Sequence, residues 1–139
     1  MIKTLMLKKI YLKDVVYKSE NTPHNFFNGA TVTPKLDLNF QSNKIGDNLY
    51  EITMESNVSG VDADGLELYS LKIVKGGLFE ITHENEEELL ECLNVNCPSI
   101  LFPYLRQEVD NMIHFSGFPA FYMQPISFYD IYMSKKAKV

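Results

Sequence analysis

The sequence predicts an α+β domain: a four-stranded antiparallel sheet followed by two or three helices packed on one of its faces. Three observations predict it. Four segments with period-two apolar spacing fill the N-terminal half, turn residues separate the later ones, and helix-period patterns with cap residues follow. Residues 1–139 read as one domain, a length sufficient for a single core.

The first strand is expected over residues 5–18. Parity places Leu5, Leu7, Tyr11, Val15 and Tyr17 on one face and Lys8, Asp14 and Lys18 on the other, while Lys9, Ile10, Leu12 and Lys13 break the alternation. Residues 35–41 alternate cleanly, with Leu36, Leu38 and Phe40 against Lys35, Asp37 and Asn39. Residues 48–59 set Tyr50, Ile52, Met54 and Val58 against Glu51, Thr53, Glu55 and Asn57. Residues 66–75 set Tyr69, Leu71 and Ile73 against Leu66, Leu68, Ser70 and Lys72. Gly46-Asp47-Asn48 and Asp62-Ala63-Asp64-Gly65 tolerate positive φ and predict hairpins between strands two, three and four. Residues 19–34 hold Pro23 and Pro34 and are too many for a tight turn, so this link is expected to cross the sheet.

Asn85 and Glu88 have the spacing of an N-cap and its partner, and Glu86 and Glu87 suit the positive end of a helix, predicting a short helix over 86–93. The long helix is expected to begin at Pro98, where a missing N–H costs little, and Pro103 falls early enough to be tolerated. Leu101, Leu105, Val109, Met112 and Ile113 form an apolar stripe at helical spacing, and Gly117 closes the helix. Ser127 and Asp130 form a second cap pair, opening a helix with Phe128, Ile131 and Tyr132 on one side. Lys135, Lys136 and Lys138 make residues 134–139 a short basic tail, expected to be flexible.

Composition narrows the function. A net charge of −5 argues against a nucleic-acid partner, which needs clustered Lys and Arg. No apolar run approaches the roughly 18 residues that span a bilayer, so no membrane insertion is expected. Lys8 and Lys9 cut short any apolar core of a signal peptide, so the chain is expected in the cytoplasm with Cys92 and Cys97 reduced. These cysteines, with His83 and His114, lack metal-site spacing and read as small core residues beside surface histidines. Asp62-x-Asp64-Gly65 resembles the start of a calcium loop, but its twelfth position is Ile73, so it reads as a turn. No nucleophile elbow or phosphate loop is present, and Gly76-Gly77 reads as a strand bend or close backbone approach. No catalytic residue, metal or cofactor is therefore expected. What remains is an aromatic excess, nine Phe and eight Tyr, several in loops: Phe26 and Phe27 in the crossover, Phe118, Phe121 and Tyr122 beside Met123 between the last helices. Such side chains either pack down as plugs or line an adaptable apolar groove, and both readings stay open.

Cys97-Pro98-Ser99-Ile100-Leu101-Phe102-Pro103-Tyr104-Leu105-Arg106 places two prolines in one helix, which chance rarely does. With Pro23-His24, Lys35-Leu36-Asp37-Leu38, Tyr50-Glu51, Gly76-Gly77-Leu78-Phe79 and Phe118-Pro119, it resembles the SecB family of protein-export chaperones from Ile10 to Met133. The resemblance implies an ATP-independent holdase for unfolded precursor proteins, delivering them to the SecA translocation motor. It implies a homotetramer, a dimer of dimers whose first strands pair across the dimer and whose long helices lie between the sheets. The interface is then expected at Leu71, Ile73, Leu101, Leu105 and Val109, and the client groove at Phe26, Leu36, Leu38, Phe118, Phe121, Met123, Phe128 and Tyr132. SecA docking is expected on the open sheet face at Asp14, Lys18, Ser70 and Lys72. There the chain departs from the family, with Lys18 and Lys72 at acidic positions, a change that alters steering. The basic end of the chain also departs from the longer acidic tail common in the family. Alternatives are a SecB-like chaperone for a non-export client such as an antitoxin, a carrier of one small apolar ligand, and a structural oligomer.

Overall fold

Strands precede helices in the chain, and the two sets form two layers. The computed structural model describes residues 2–27 and 31–137. The strands are β1 (Thr4–Lys18), β2 (Thr33–Gly46), β3 (Leu49–Val61) and β4 (Glu67–Thr82), in the antiparallel order β1-β4-β3-β2. The crossover between β1 and β2 therefore traverses the whole sheet, as its length requires. Its early part is tied to β4, because Ser19 Oγ and Asn25 Nδ2 both donate to the Leu68 carbonyl, at 2.9 and 3.1 Å. Both hairpins form where turn chemistry places them. Asn48 takes φ 59° and Gly65 takes φ 85°. Asp62 Oδ1 accepts from the backbone of Asp64 and Leu66, each at 2.9 Å, so its carboxylate is used by the turn itself.

The strands run longer than periodicity alone predicts. β4 continues through Gly76-Gly77 to Thr82, because these glycines serve close approach: a Cβ on Gly77 would lie 2.8 Å from Phe79 and 3.4 Å from Leu101. β3 alternates between buried and half-buried along its length, as expected, with Ser56 also turned inward. Leu68 is buried although parity places it outside, because it is the extra residue at the register shift between Gly60↔Tyr69 and Val61↔Glu67.

β1 corrects the sequence reading most. Bulges at Lys8 and Lys13 each shift parity by one, so Leu5, Leu7, Ile10, Leu12, Val15 and Tyr17 oppose the helix-side residues of β4. Ile10 and Leu12 thus join the apolar face, and Tyr11 leaves it to lie over Gly76 on the open face.

Helices α1 (Glu86–Glu91) and α2 (Cys97–Phe115) are joined by a π turn, Cys92–Asn96, into one helical run, with no break before Pro98. The Asn85 side chain caps α1 by accepting from Glu88 N–H at 2.9 Å, as its spacing predicts. The π turn places the Cys97 N–H on the Cys92 carbonyl, five residues back. Gly117 ends α2 at φ 89°. Helix α3 (Phe128–Ala137) opens with Ser127 Oγ accepting from Asp130 N–H at 3.2 Å. Residues 134–137, expected as part of a tail, belong to α3, and Lys136 reaches Glu87 of α1 at 3.4 Å. Residues 138 and 139 lie outside the described residues.

The core lies between the sheet and α2. Leu101, Leu105, Val109 and Ile113 are fully buried against β3 and β4, where each such side chain contributes about 1.5–3 kcal/mol. Leu71, Ile73, Leu101, Leu105 and Val109 are therefore consumed inside one chain, which corrects their expected place at a tetramer interface. A helical stripe has the same period whether it faces its own sheet or a second copy. The sequence also missed Lys75, buried beneath α2 and ion-paired to Glu108.

Candidate functional site

Among the described residues no three His, Cys, Asp or Glu side chains come together as a metal site. His83 lies beside Glu86 at 3.6 Å, and His114 against the Phe115 ring. Cys92 and Cys97 are buried and paired by the π turn. Hydrogen bonding to Cys92, aided by burial, pushes the Cys97 thiol far up, and the same bond lowers Cys92. These thiols pack as core groups.

The loop aromatics divide between the two roles the sequence left open. Phe118 and Met123 are only 5% and 4% exposed and act as plugs, which corrects their assignment to an accessible groove, whereas Phe128, 3% exposed, forms part of the wall of a depression between β2 and α3. Gly117 turns the chain so that Phe118 drops between Tyr69, at 4.9 Å between centroids, and Phe26, at 4.8 Å. Phe128 is held edge-on by Phe40 and Phe102, at 5.6 and 5.8 Å. Phe26 and Leu36 remain 45% and 40% exposed, and Leu38, Phe121 and Tyr132 are half-buried. Phe27 and Tyr122 are also exposed. A depression of 280 Å³ opens between β2 and α3, walled by Leu38, Phe40, Ile126, Phe128 and Ile131, with Lys135 at its lip. Sequence reasoning did not assign Phe40, Ile126, Ile131 or Lys135 to a site. The shared parity of Phe40 with Leu36 and Leu38 was the available signal.

The open face of the sheet carries Asp14, Lys18, Ser70 and Lys72, each opposite a β-partner on that face. A shallower depression of 440 Å³ lies there, lined by Val16, Lys35, Asp37, Asn57 and Lys72 among others. Three carboxylates of this face are engaged by lysines of the same chain. Lys72 lies 3.8 Å from Glu55, Lys8 3.6 Å from Glu80 and Lys13 3.1 Å from Glu51. Tyr11 also donates to Glu51. Burial and that bond raise the Tyr11 hydroxyl to about 12, and the bond from Tyr11 holds the Glu51 carboxyl below its ordinary range.

A sheet with one face covered by helices, one face open, and exposed apolar side chains gathered around an edge strand, the crossover and the last helix defines a binding scaffold. Comparison with known proteins identifies its kind. The family described as Preprotein translocase subunit SecB matches residues 2–139, and the chain belongs to the SecB family. It is 32% identical over 133 residues to protein-export protein SecB of Chromohalobacter salexigens, covering 95% of this chain and 81% of that protein. It is 36% identical over 126 residues to the SecB of Marinobacter nauticus, covering 91% and 76%. The fold is that of a Mycobacterium tuberculosis SecB-like chaperone solved with a ChAD peptide from the HigA1 antitoxin: TM-score 0.74 at 15% identity, covering 88% of this chain and 91% of that one.

Proposed function

We propose that the protein is an ATP-independent holdase of the cytoplasm, a dimer of dimers that binds unfolded precursor proteins and passes them to SecA. One observation carries the reading: large apolar side chains are exposed on the crossover (Phe26, Phe27), on β2 (Leu36), in the loop before α3 (Tyr122) and on α3 (Ile131), and a depression opens between β2 and α3. Exposed apolar surface of this extent marks an interaction site. Binding would draw on apolar burial, at about 25 cal/mol per Å² before ordering costs. The outer face of α2, with Phe115 79% exposed and Tyr104 half so, supports helix packing between copies, a role the buried stripe cannot take.

A SecB-like chaperone for a non-export client is the second reading. The antitoxin peptide on the structural neighbour and the self-paired charges of the open face favour it. The test is aggregation of a slow-folding precursor, followed by light scattering without nucleotide, with native mass spectrometry of the same samples. Suppression by a tetramer is expected. If neither substoichiometric protein nor a large excess changes the aggregation, the holdase reading fails. Export and non-export roles are separated by whether SecA binds the chaperone and takes over the bound precursor.

A further inference from the structure

Cys92 and Cys97 are the only cysteines of the chain, both are free, and they are 1% and 0% exposed. In a continuous α-helix, residues five apart point about 140° away from each other, so these two thiols would meet different surroundings. The π turn Cys92–Asn96 removes that separation. Its extra residue hands the Cys97 N–H to the Cys92 carbonyl and stacks the two residues on successive turns. The side chains then hydrogen-bond to each other. That bond lowers Cys92 against the opposing effects of burial and the Glu91 carboxylate, and it raises Cys97 together with burial. One sulfur is thus the better nucleophile and the other its proton donor. Single π turns are uncommon inside α-helices and recur at functional positions. Residues on successive helical turns lie about 5.4 Å apart, inside the roughly 4.4–6.8 Å between Cα atoms that a disulfide spans.

We propose that Cys92 and Cys97 form a reversible oxidation site, a dithiol that a small hydroperoxide converts into a disulfide across the π turn. The Cys92 thiolate attacks one peroxide oxygen, the O–O bond breaks, and the released hydroxide takes up the proton that Cys92 gave, as water. The Cys97 sulfur then attacks the Cys92 sulfenic sulfur, the S–S bond forms, and the S–O bond breaks. The Cys97 proton leaves with that oxygen as a second water. Two electrons pass from the sulfurs to the peroxide: two thiols and one hydrogen peroxide give one disulfide and two waters. Burial closes the site to bulky reagents, and a small uncharged oxidant enters as the helical run opens locally. The product clamps the residue that ends α1 to the first residue of α2. This site is independent of the holdase reading and adds a redox response to the fold.

The test treats the full chain with hydrogen peroxide, quenches with acid, unfolds it, alkylates free thiols and counts the adducts by mass spectrometry. Both alkylatable thiols should be lost from each chain, with a cross-link joining Cys92 to Cys97 within one chain, and dithiothreitol should restore both. The Cys97→Ala variant should stop at a Cys92 sulfenic acid that dimedone traps. In Cys92→Ala the Cys97 thiol should react at least about tenfold more slowly. Equilibration with reduced and oxidised glutathione adds a second measurement. The disulfide-to-dithiol ratio should be at least about tenfold higher in the folded chain than in urea, because the π turn holds together sulfurs that an open chain separates. Oxidation of the exposed Met6 to its sulfoxide in the same sample shows that the oxidant was active. Met6 sulfoxide beside two intact thiols, cross-links only between chains, or equal ratios in the folded and unfolded chain overturns the proposal.

Discussion

The two edges of the sheet carry comparable lengths of strand, 15 residues in β1 and 14 in β2, yet they solve the exposed-edge problem differently. β1 inserts Lys8 and Lys13 as bulges and directs their ammonium groups to Glu80 and Glu51 on the open face. This leaves an unbroken row of apolar side chains on its helix side, spaced two, three, two, three and two residues apart from Leu5 to Tyr17. β2 keeps strict alternation and stays regular, with Lys35, Asp37 and Asn39 on the open side and Leu36, Leu38 and Phe40 on the other. Bulges twist a strand and discourage pairing with arbitrary partners, whereas a regular edge invites it. The difference teaches that an apolar pattern broken at intervals of five residues can encode a strand as surely as a perfect one.

The largest expected effect removes both edges at once. Ile73, on the central strand β4, is fully buried between Val15 and Ser56 of its neighbours, and Ile73→Asp should cost more than about 4 kcal/mol and leave no cooperative urea transition. Deletions separate the edges. Removing Asn39 from β2 forces either Leu38 or Phe40 onto the open face and should cost about 2–4 kcal/mol. Removing Lys13 from β1 deletes the extra residue of a bulge, keeps Leu12 inward and Asp14 outward, and should cost about 1 kcal/mol, mostly through the Glu51 ion pair. Urea unfolding of the two deletions decides the comparison, and equal losses would mean that the bulges do not set the register.

A smaller effect tests how the sheet centre is fastened to α2. Glu108→Ala leaves Lys75 buried without its partner and should cost about 1–3 kcal/mol, and Lys75→Met in the same chain should recover much of it. The thermal midpoints of the single and double variants measure this directly. No recovery in the double variant would show that Glu108 acts through packing instead.

The smallest effect lies on the open face of β1. Tyr11→Phe removes the hydroxyl that donates to Glu51 and should cost about 1 kcal/mol or less near neutral pH. Because the Glu51 carboxyl is held below its ordinary 4.5, its stabilisation is complete above that value and fades as pH falls through the lowered one. Because the Tyr11 hydroxyl is raised from 10.0 to about 12, its stabilisation is complete below pH 10 and fades as pH rises through about 12. The difference between wild type and Tyr11→Phe should therefore be flat across the neutral range and shrink at both ends. No difference between the two proteins at any pH would show that the ring, and not the bond, is what Tyr11 contributes.

Local chemistry made much of this protein legible without coordinates. Asn48 and Gly65 mark turns by tolerating positive φ, and Asn85, Ser127 and Gly117 mark helix ends by meeting backbone groups that have no other partner. The alternation from Tyr50 to Val58 announces a strand buried on one face. Each of these signals is complete within a few residues. The site was less legible, because Phe118 and Phe26 carry the same aromatic signal in loops, yet one is a plug and the other is exposed.

The sequence by itself determined the order of strands and helices, both hairpins, the caps, and the motifs that make the chain a member of the SecB family. Only the tertiary structure decided which face each residue of β1 takes, since a bulge is seen by counting against the partner strand. It also decided that Leu101, Leu105 and Val109 meet their own sheet, that Lys75 is buried with Glu108, and that Phe40 and Lys135 share one depression. The physical reason is common to all of these. Periodicity reports that a face is apolar, but what covers that face is fixed by long-range packing among segments far apart in the chain.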